Sequence, residues 1–258
     1  MEILPVKNPF GAPVYHTGTV SSTMDTVREL AGRNEPHGTV IAADFQEAGR
    51  GRLNRSWQVN YGENLIFSML FRYGNTIPKA FVLRTGLAVS LAVEDFVPSL
   101  AGLVKVKWPN DIMIDSRKAA GILTESDGKN VYAGIGINYA QKEFPGELSS
   151  KAVSLIQVCP GLEKNNRFIL LEKILFRLHE ELEKCGDETL WHENLSGRLY
   201  KKGEKVTFME GAPDSNRFIK GTLLGIGPGG ELLIVPEGEK SAVSFVTGEL
   251  RVYLEIKV

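Results

Sequence analysis

The chain has 258 residues, 43% hydrophobic and 24% charged, an ordinary globular composition long enough for one or two domains and a sizeable core. A net charge of −1 excludes a global field that would draw in nucleic acid or an acidic membrane, so any anion binding must come from a local cluster. Two cysteines, Cys159 and Cys185, do not make a disulfide framework and fit the reduced thiols of a cytoplasmic protein.

Along the chain, Met1 to Tyr15 holds Pro5, Pro9 and Pro13 and lacks the apolar core of a signal peptide. Ser22-Thr23-Met24-Asp25, followed by Val27, Leu30 and Ala31, predicts a capped helix start. Strands are expected over Thr39–Ala43 and Asn64–Phe71, then a helix over Pro78–Val97. The apolar run Ala80–Val97 is broken by Arg84, Glu94 and Asp95, which makes it a buried helix and not a membrane span. Val104–Lys107, Ile112–Ile114, Ala119–Thr124 and Val131–Asn138 read as further strands. Phe168, Leu171, Ile174, Leu175, Leu178 and Leu182 recur at helical spacing, the face of a helix packed on a sheet. After Gly197 the texture changes to short β runs: Lys205–Met209, Phe218–Leu224, Glu231–Pro236, Ala242–Val246 and Arg251–Ile256. Such spacing suggests a small barrel. We therefore expect an α+β domain on a mixed sheet over 1–197 and a β domain over 198–258.

Gly49-Arg-Gly-Arg-Leu-Asn-Arg-Ser-Trp57 carries the most chemistry. Its arginines offer rigid donor forks for carboxylate and phosphate oxygens, and Trp57 a flat apolar face for a heterocycle. The segment reads as a loop closing over an anionic, nucleotide-containing ligand. From these nine residues alone, an RNA-binding patch or a solvated loop stays open. Lys107-Trp-Pro-Asn-Asp111 sets a lysine, an amide and a carboxylate at a strand end, or is simply a tight turn. Lys118-Ala-Ala-Gly-Ile-Leu123 opens a strand of small residues. Gly134-Ile-Gly136-Ile-Asn138 puts glycines at alternate positions, leaving a groove on one face of the sheet. The histidines His16, His37, His179 and His192 are scattered without metal-ligand spacing and read as surface or core residues.

In this order, Gln46-x-x-Gly-Arg-Gly-Arg-x-x-Arg-x-Trp57, Lys107-Trp-Pro-Asn-Asp111, Lys118-x-x-Gly-Ile-Leu123 and Gly136-Ile-Asn138 closely resemble the biotin protein ligases, also called biotin–[acetyl-CoA-carboxylase] ligases or holocarboxylase synthetases. The resemblance runs from Ser22 to Val258. It implies a class II synthetase-like mixed sheet with packed helices and a C-terminal SH3-like barrel. It also implies an enzyme that joins biotin to AMP and passes it to a lysine of a biotin carboxyl carrier domain, using ATP and Mg2+. Only about twenty residues precede Ser22, so the form expected lacks the DNA-binding winged helix and takes neither DNA nor membrane as partner. Both a homodimer through the sheet edge and a monomer occur in the family.

By resemblance, Ser22, Thr23 and Gln46 hold the biotin ureido ring, and Gly49, Gly121, Leu123 and Gly136 line the biotin slot. Arg50 and Lys118 face the meeting point of carboxylate and α-phosphate, serving both ligands. Arg52 and Arg55 order the loop over the phosphates, Trp57 lies on the adenine side, and Asn110 and Asn138 contact the nucleotide or its metal. No metal ligand is assigned. With Arg50 and Lys118, Asp111 completes the catalytic set by orienting or deprotonating the incoming lysine; a turn-capping carboxylate is the alternative. Residues near 49–57 are expected to be disordered without ligand and ordered with adenylate. Met24 stands where the family often carries Asn. Rival readings are a lipoate–protein ligase or octanoyltransferase on the same fold, a non-catalytic interaction module, and a repressor.

Overall fold

The computed structural model describes residues 1–57, 59–74, 76–184, 189–211 and 215–251. Eight strands form one sheet: β1 (Glu2–Ile3), β2 (Val14–Val20), β3 (Val40–Gln46), β4 (Leu65–Phe71), β5 (Lys105–Lys107), β6 (Asp111–Ile114), β7 (Arg117–Ser126) and β8 (Val131–Ile137). Their order is β1-β2-β3-β4-β8-β7-β6-β5. β2 and β3 run parallel, and the other neighbours are antiparallel, so the sheet is mixed as expected. The main helices are α1 (Thr23–Gly32), α2 (Phe81–Phe96), α3 (Arg167–His179) and α4 (Leu190–Arg198).

Alternate residues along a strand face opposite ways, and here each face finds a helix layer. Ile41, Leu70 and Tyr132 meet Met24, Val27, Leu30 and Ala31 of α1 on one face. Val40, Ala42, Phe67, Met69 and Phe71 face the other way, into the core shared by Leu83 and Leu87 of α2 and Leu171, Ile174 and Leu178 of α3. Cover on both faces is why β4 is buried at every position and reads in sequence as a continuous apolar run.

α1 begins where its cap predicts: Ser22 is extended and its hydroxyl accepts from the Met24 N–H at 3.3 Å. α2 begins at Phe81, later than Pro78, because Ala80 before it takes a left-handed conformation (φ 51°). Arg84, one of the charges that breaks the run, is buried and donates to Glu181 at 2.9 Å. Among the described residues, no helix is long and apolar enough to cross a membrane. β1 and β2 were not expected. The Val, Tyr and Thr residues of β2 carried the strand signal, but His16 and Gly18 interrupt it.

The C-terminal part forms a second sheet from β9 (Lys205–Glu210), β10 (Phe218–Ile226), β11 (Leu232–Pro236), β12 (Val243–Phe245) and β13 (Gly248–Arg251). Its order is β12-β11-β10-β9-β13, antiparallel throughout. Among the described residues this is an open sheet, with β12 and β13 as its two edges and no pairing that closes a barrel. The last strand starts at Gly248, ahead of the expected Arg251, because Gly248 to Arg251 already pair with β9. The rest of that expectation, to Ile256, lies outside the described residues, as does Cys185; Cys159 is a free thiol. Trp108 joins the two sheets: its indole N–H donates to the Gly230 carbonyl at 2.9 Å, and its ring lies 5.9 Å from that of Phe208.

Candidate active site

The site grows from the α1 face of the sheet, beside the N-terminus of that helix. Cross-strand partners share a face, so pairing defines rows. One row is Ile66, Gly136, Gly121 and Asp111 across β4, β8, β7 and β6. The next is Ser68, Gly134 and Leu123. Glycines at the centre of both rows leave the sheet bare. A cavity of about 360 Å³ opens there, lined by residues that include Ser22, Thr23, Gln46, Arg50, Arg52, Arg55, Trp57, Asn110, Asp111, Lys118, Gly121, Leu123, Gly136 and Asn138. All the expected site residues except Gly49 thus reach one cavity wall.

At one end lies a hydroxyl–amide cluster. The Gln46 side-chain oxygen accepts from the Thr23 N–H and hydroxyl, both at 2.8 Å, and Ser68 donates to the Thr23 hydroxyl at 2.8 Å. Ser68, hidden in the apolar run of β4, was not picked from the sequence; a lone hydroxyl in a buried strand was its signal. Met24 lies over the bare Gly134, where an added Cβ would come within 3.0 Å of the sulfur.

At the other end Asp111 sits between two lysines, 2.6 Å from Lys118 Nζ and 3.8 Å from Lys107 Nζ. The turn Trp108–Asn110 between β5 and β6 sets this geometry, returning the chain so that Lys107 and Asp111 pair in register. Lys107 was quoted in the motif yet left out of the expected site. Burial pushes its ammonium below the usual lysine range, while Asp111 and Glu249 pull the other way. Asn110 donates to the Ile122 carbonyl at 2.7 Å and accepts from Arg52 at 3.2 Å. Burial lowers the Arg52 guanidinium from its ordinary value, against the opposing pull of Asp111 and Glu249. Asn138 spends its amide on the backbone carbonyls of Lys118 (3.1 Å) and Val153 (3.3 Å), bracing the floor.

The arginine segment is a hairpin. Trp57 N–H donates to the Gly49 carbonyl at 2.8 Å and Gly51 N–H to the Arg55 carbonyl at 2.7 Å. A side chain at Gly49 would come within 2.6 Å of the Trp57 carbonyl oxygen, which gives that glycine a local reason. Each arginine leaves in a different direction. Arg50 forms a bidentate pair with Asp25 in the first turn of α1 (3.0 and 2.5 Å). Arg55 forms one with Glu249 of β13 (2.9 and 2.6 Å). Burial alone would raise the Glu249 carboxyl, but Arg55, with Lys107 and Arg251, holds it below the usual carboxylate range. Arg50 thus lines the cavity while paired to α1, and Trp57 lies on the glycine floor. Neither Asp25 nor Glu249 was expected in the site; both are distant in sequence from the arginine they hold. Among the described residues, no group of three or more His, Cys, Asp or Glu side chains could hold a metal ion.

A large mixed sheet with packed helices fits the fold of the biotin ligases of known structure. The chain is similar to the biotin protein ligase from Aquifex aeolicus solved in complex with biotin and ATP, at 28% identity and a TM-score of 0.79, covering 92% of this chain and 97% of that one. Residues 18–140 match the biotin/lipoate A/B protein ligase family. It is 38% identical over 173 residues to the bifunctional ligase/repressor BirA of Bacillus spizizenii, covering 64% of this chain and 52% of that protein. It is 32% identical over 168 residues to the biotin–[acetyl-CoA-carboxylase] ligase of Mycobacterium tuberculosis, covering 64% and 60%. The chain therefore spans about half the length of the first curated relatives it matches (52% and 51%).

Proposed function

We propose that this chain is an ATP-dependent biotin–[acetyl-CoA-carboxylase] ligase. The observation that carries the reading is the convergence of Lys118, Arg52 and Asp111 on one cavity with a glycine floor, in a chain similar over 92% of its length to a ligase solved with biotin and ATP. A carboxylate resists attack because it is already an anion. In the first half-reaction a biotin carboxylate oxygen attacks the α-phosphorus of ATP, pyrophosphate leaves, and a mixed anhydride forms. In the second, a carrier lysine amine attacks the acyl carbon and AMP leaves.

On this reading the Thr23–Gln46–Ser22 end takes the ureido ring and the Leu123 side of the floor takes the valeryl chain. Lys118 and Arg52 meet the charge that builds where carboxylate and α-phosphate join. Asp111 receives the incoming lysine, whose amine must shed a proton with a pKa of about 10.4. Asp111, Glu249 and Asp25 around the cavity are held by lysine and arginine partners, so Mg2+ is taken to arrive with the nucleotide. Among the described residues no carboxylate, histidine or cysteine cluster fits a resident metal, and no step is assigned to one.

The same reading includes a biotin carboxyl carrier domain of a carboxylase as acceptor and a cytoplasmic setting. It divides the chain near residue 197 into a catalytic domain and an SH3-like C-terminal domain, supported by the five antiparallel strands of the second sheet. It leaves DNA out and allows a monomer or a homodimer. The test is transfer itself. Purified chain with biotin, ATP and Mg2+ is expected to add one biotinyl mass to a carrier domain, and not to a carrier whose target lysine is replaced by arginine. Lipoylation in place of biotinylation would move the assignment to the lipoate side of the family.

A further inference from the structure

Gly121 of β7 and Gly136 of β8 are cross-strand partners on the cavity face. Together they make a patch without side chains that crosses two strands. Trp57 covers this patch. A Cβ at Gly136 would come within 2.5 Å of the indole Cε2, 2.6 Å of Nε1 and 2.7 Å of Cζ2. One at Gly121 would come within 3.1 Å of Cζ3. The ring is rigid, so the clash at Gly136 cannot be relieved by turning the end of a flexible chain, whereas the Gly121 contact is only tight and is shared with Lys118 Cε and Nζ at 3.1 Å. Lys118 Nζ lies over the same ring at 5.4 Å, and the indole N–H is buried without a partner.

We propose that the Gly121–Gly136 pair is the seat for Trp57 and thereby positions the whole arginine hairpin. The indole drops onto the bare sheet, and its hairpin brings Arg52 to Asn110 and Arg55 to Glu249. Any side chain at position 136 holds the indole off. This gives Gly136 a role through Trp57 that is separate from lining a biotin slot. The seating of Trp57 stands without the ligase reading; that the seated hairpin carries Arg52 and Arg55 toward a nucleotide rests on that reading.

The hairpin carries its own reporter, because Arg50, Arg52 and Arg55 are trypsin sites. Cleavage there is measured on the full chain without added ligand, for the wild type, Gly136→Ala, Trp57→Ala and the double variant. Each single change is expected to speed hairpin cleavage by about tenfold, since cleavage tracks the open population. The double variant is expected to be cut no faster than Trp57→Ala, because the two act through one contact. An unchanged rate in Gly136→Ala, or effects that multiply in full, would overturn the proposal. Should Gly136→Ala lose its thermal unfolding transition, Gly121→Ala replaces it in the same cycle, with a smaller acceleration expected from its looser 3.1 Å contact; an unchanged rate there, or effects that multiply in full with Trp57→Ala, would overturn the proposal. No turnover is read, so a chain inactive toward biotin still decides the question.

Discussion

Asp111 with its two lysines is the smallest unit in which the chemistry can be read. One carboxylate holds Lys118 at 2.6 Å, in place to meet a second anion without moving. A single preorganised donor to a developing charge is worth about 2.7–4 kcal/mol. Lys118→Gln is therefore expected to lower the adenylation rate by roughly 10²–10³-fold, leaving the thermal midpoint nearly unchanged, as stopped-time assays and a melting curve would read. A loss below about threefold would remove Lys118 from the reacting centre. Glu249 has a different consequence. Its folded carboxyl lies below the ordinary value, so its contribution to stability is present above the unfolded pKa, about 4.3. That contribution is lost as pH falls through the lower folded value. Glu249→Gln should cost about 1 kcal/mol or less at neutral pH, Arg55 being half exposed. The gap between the two proteins in urea unfolding should close below about pH 4. A gap that widens on acidification would contradict the assigned shift.

At the scale of elements, the charges that break the Ala80–Val97 run show how far sequence reading reaches. Arg84 makes the run too polar to span a bilayer, and the helix is indeed internal to the fold. Where Arg84 finds its partner was not legible, because Glu181 is 97 residues away. Both are buried, and burial raises the Glu181 carboxyl while Arg84 opposes it. Removing one partner strands the other, so Arg84→Ala is expected to cost about 3–5 kcal/mol, measured by urea unfolding. A loss under about 1 kcal/mol would show that Glu181 finds solvent. The capped start of α1, the β5–β6 turn and the glycine alternation of β8 were all legible, since each is written in adjacent residues. The partners of Arg50 and Arg55 were not. Asp25 and Glu249 reach them through the third dimension, and a local pattern carries no trace of that.

For the whole molecule, Trp108 ties the two sheets into one core, with its ring against Phe208 and its N–H on Gly230. Trp108→Ala is expected to cost about 3–5 kcal/mol and to act on one shared unfolding transition. Two separated transitions in the wild type would argue against that coupling. The mixed α+β sheet with packed helices was foreseen from element texture and family resemblance. Four of the C-terminal strands were foreseen in rough position, while the fifth was expected almost wholly beyond the described residues; the pairing that leaves the sheet open among the described residues was not foreseen, since edge closure depends on register. The central claim is that this cavity adenylates biotin. ATP–pyrophosphate exchange with purified chain and Mg2+, comparing biotin, lipoate and no acid, tests it most directly. Exchange that depends on biotin is expected; exchange with lipoate alone, or none from a folded sample, would contradict it.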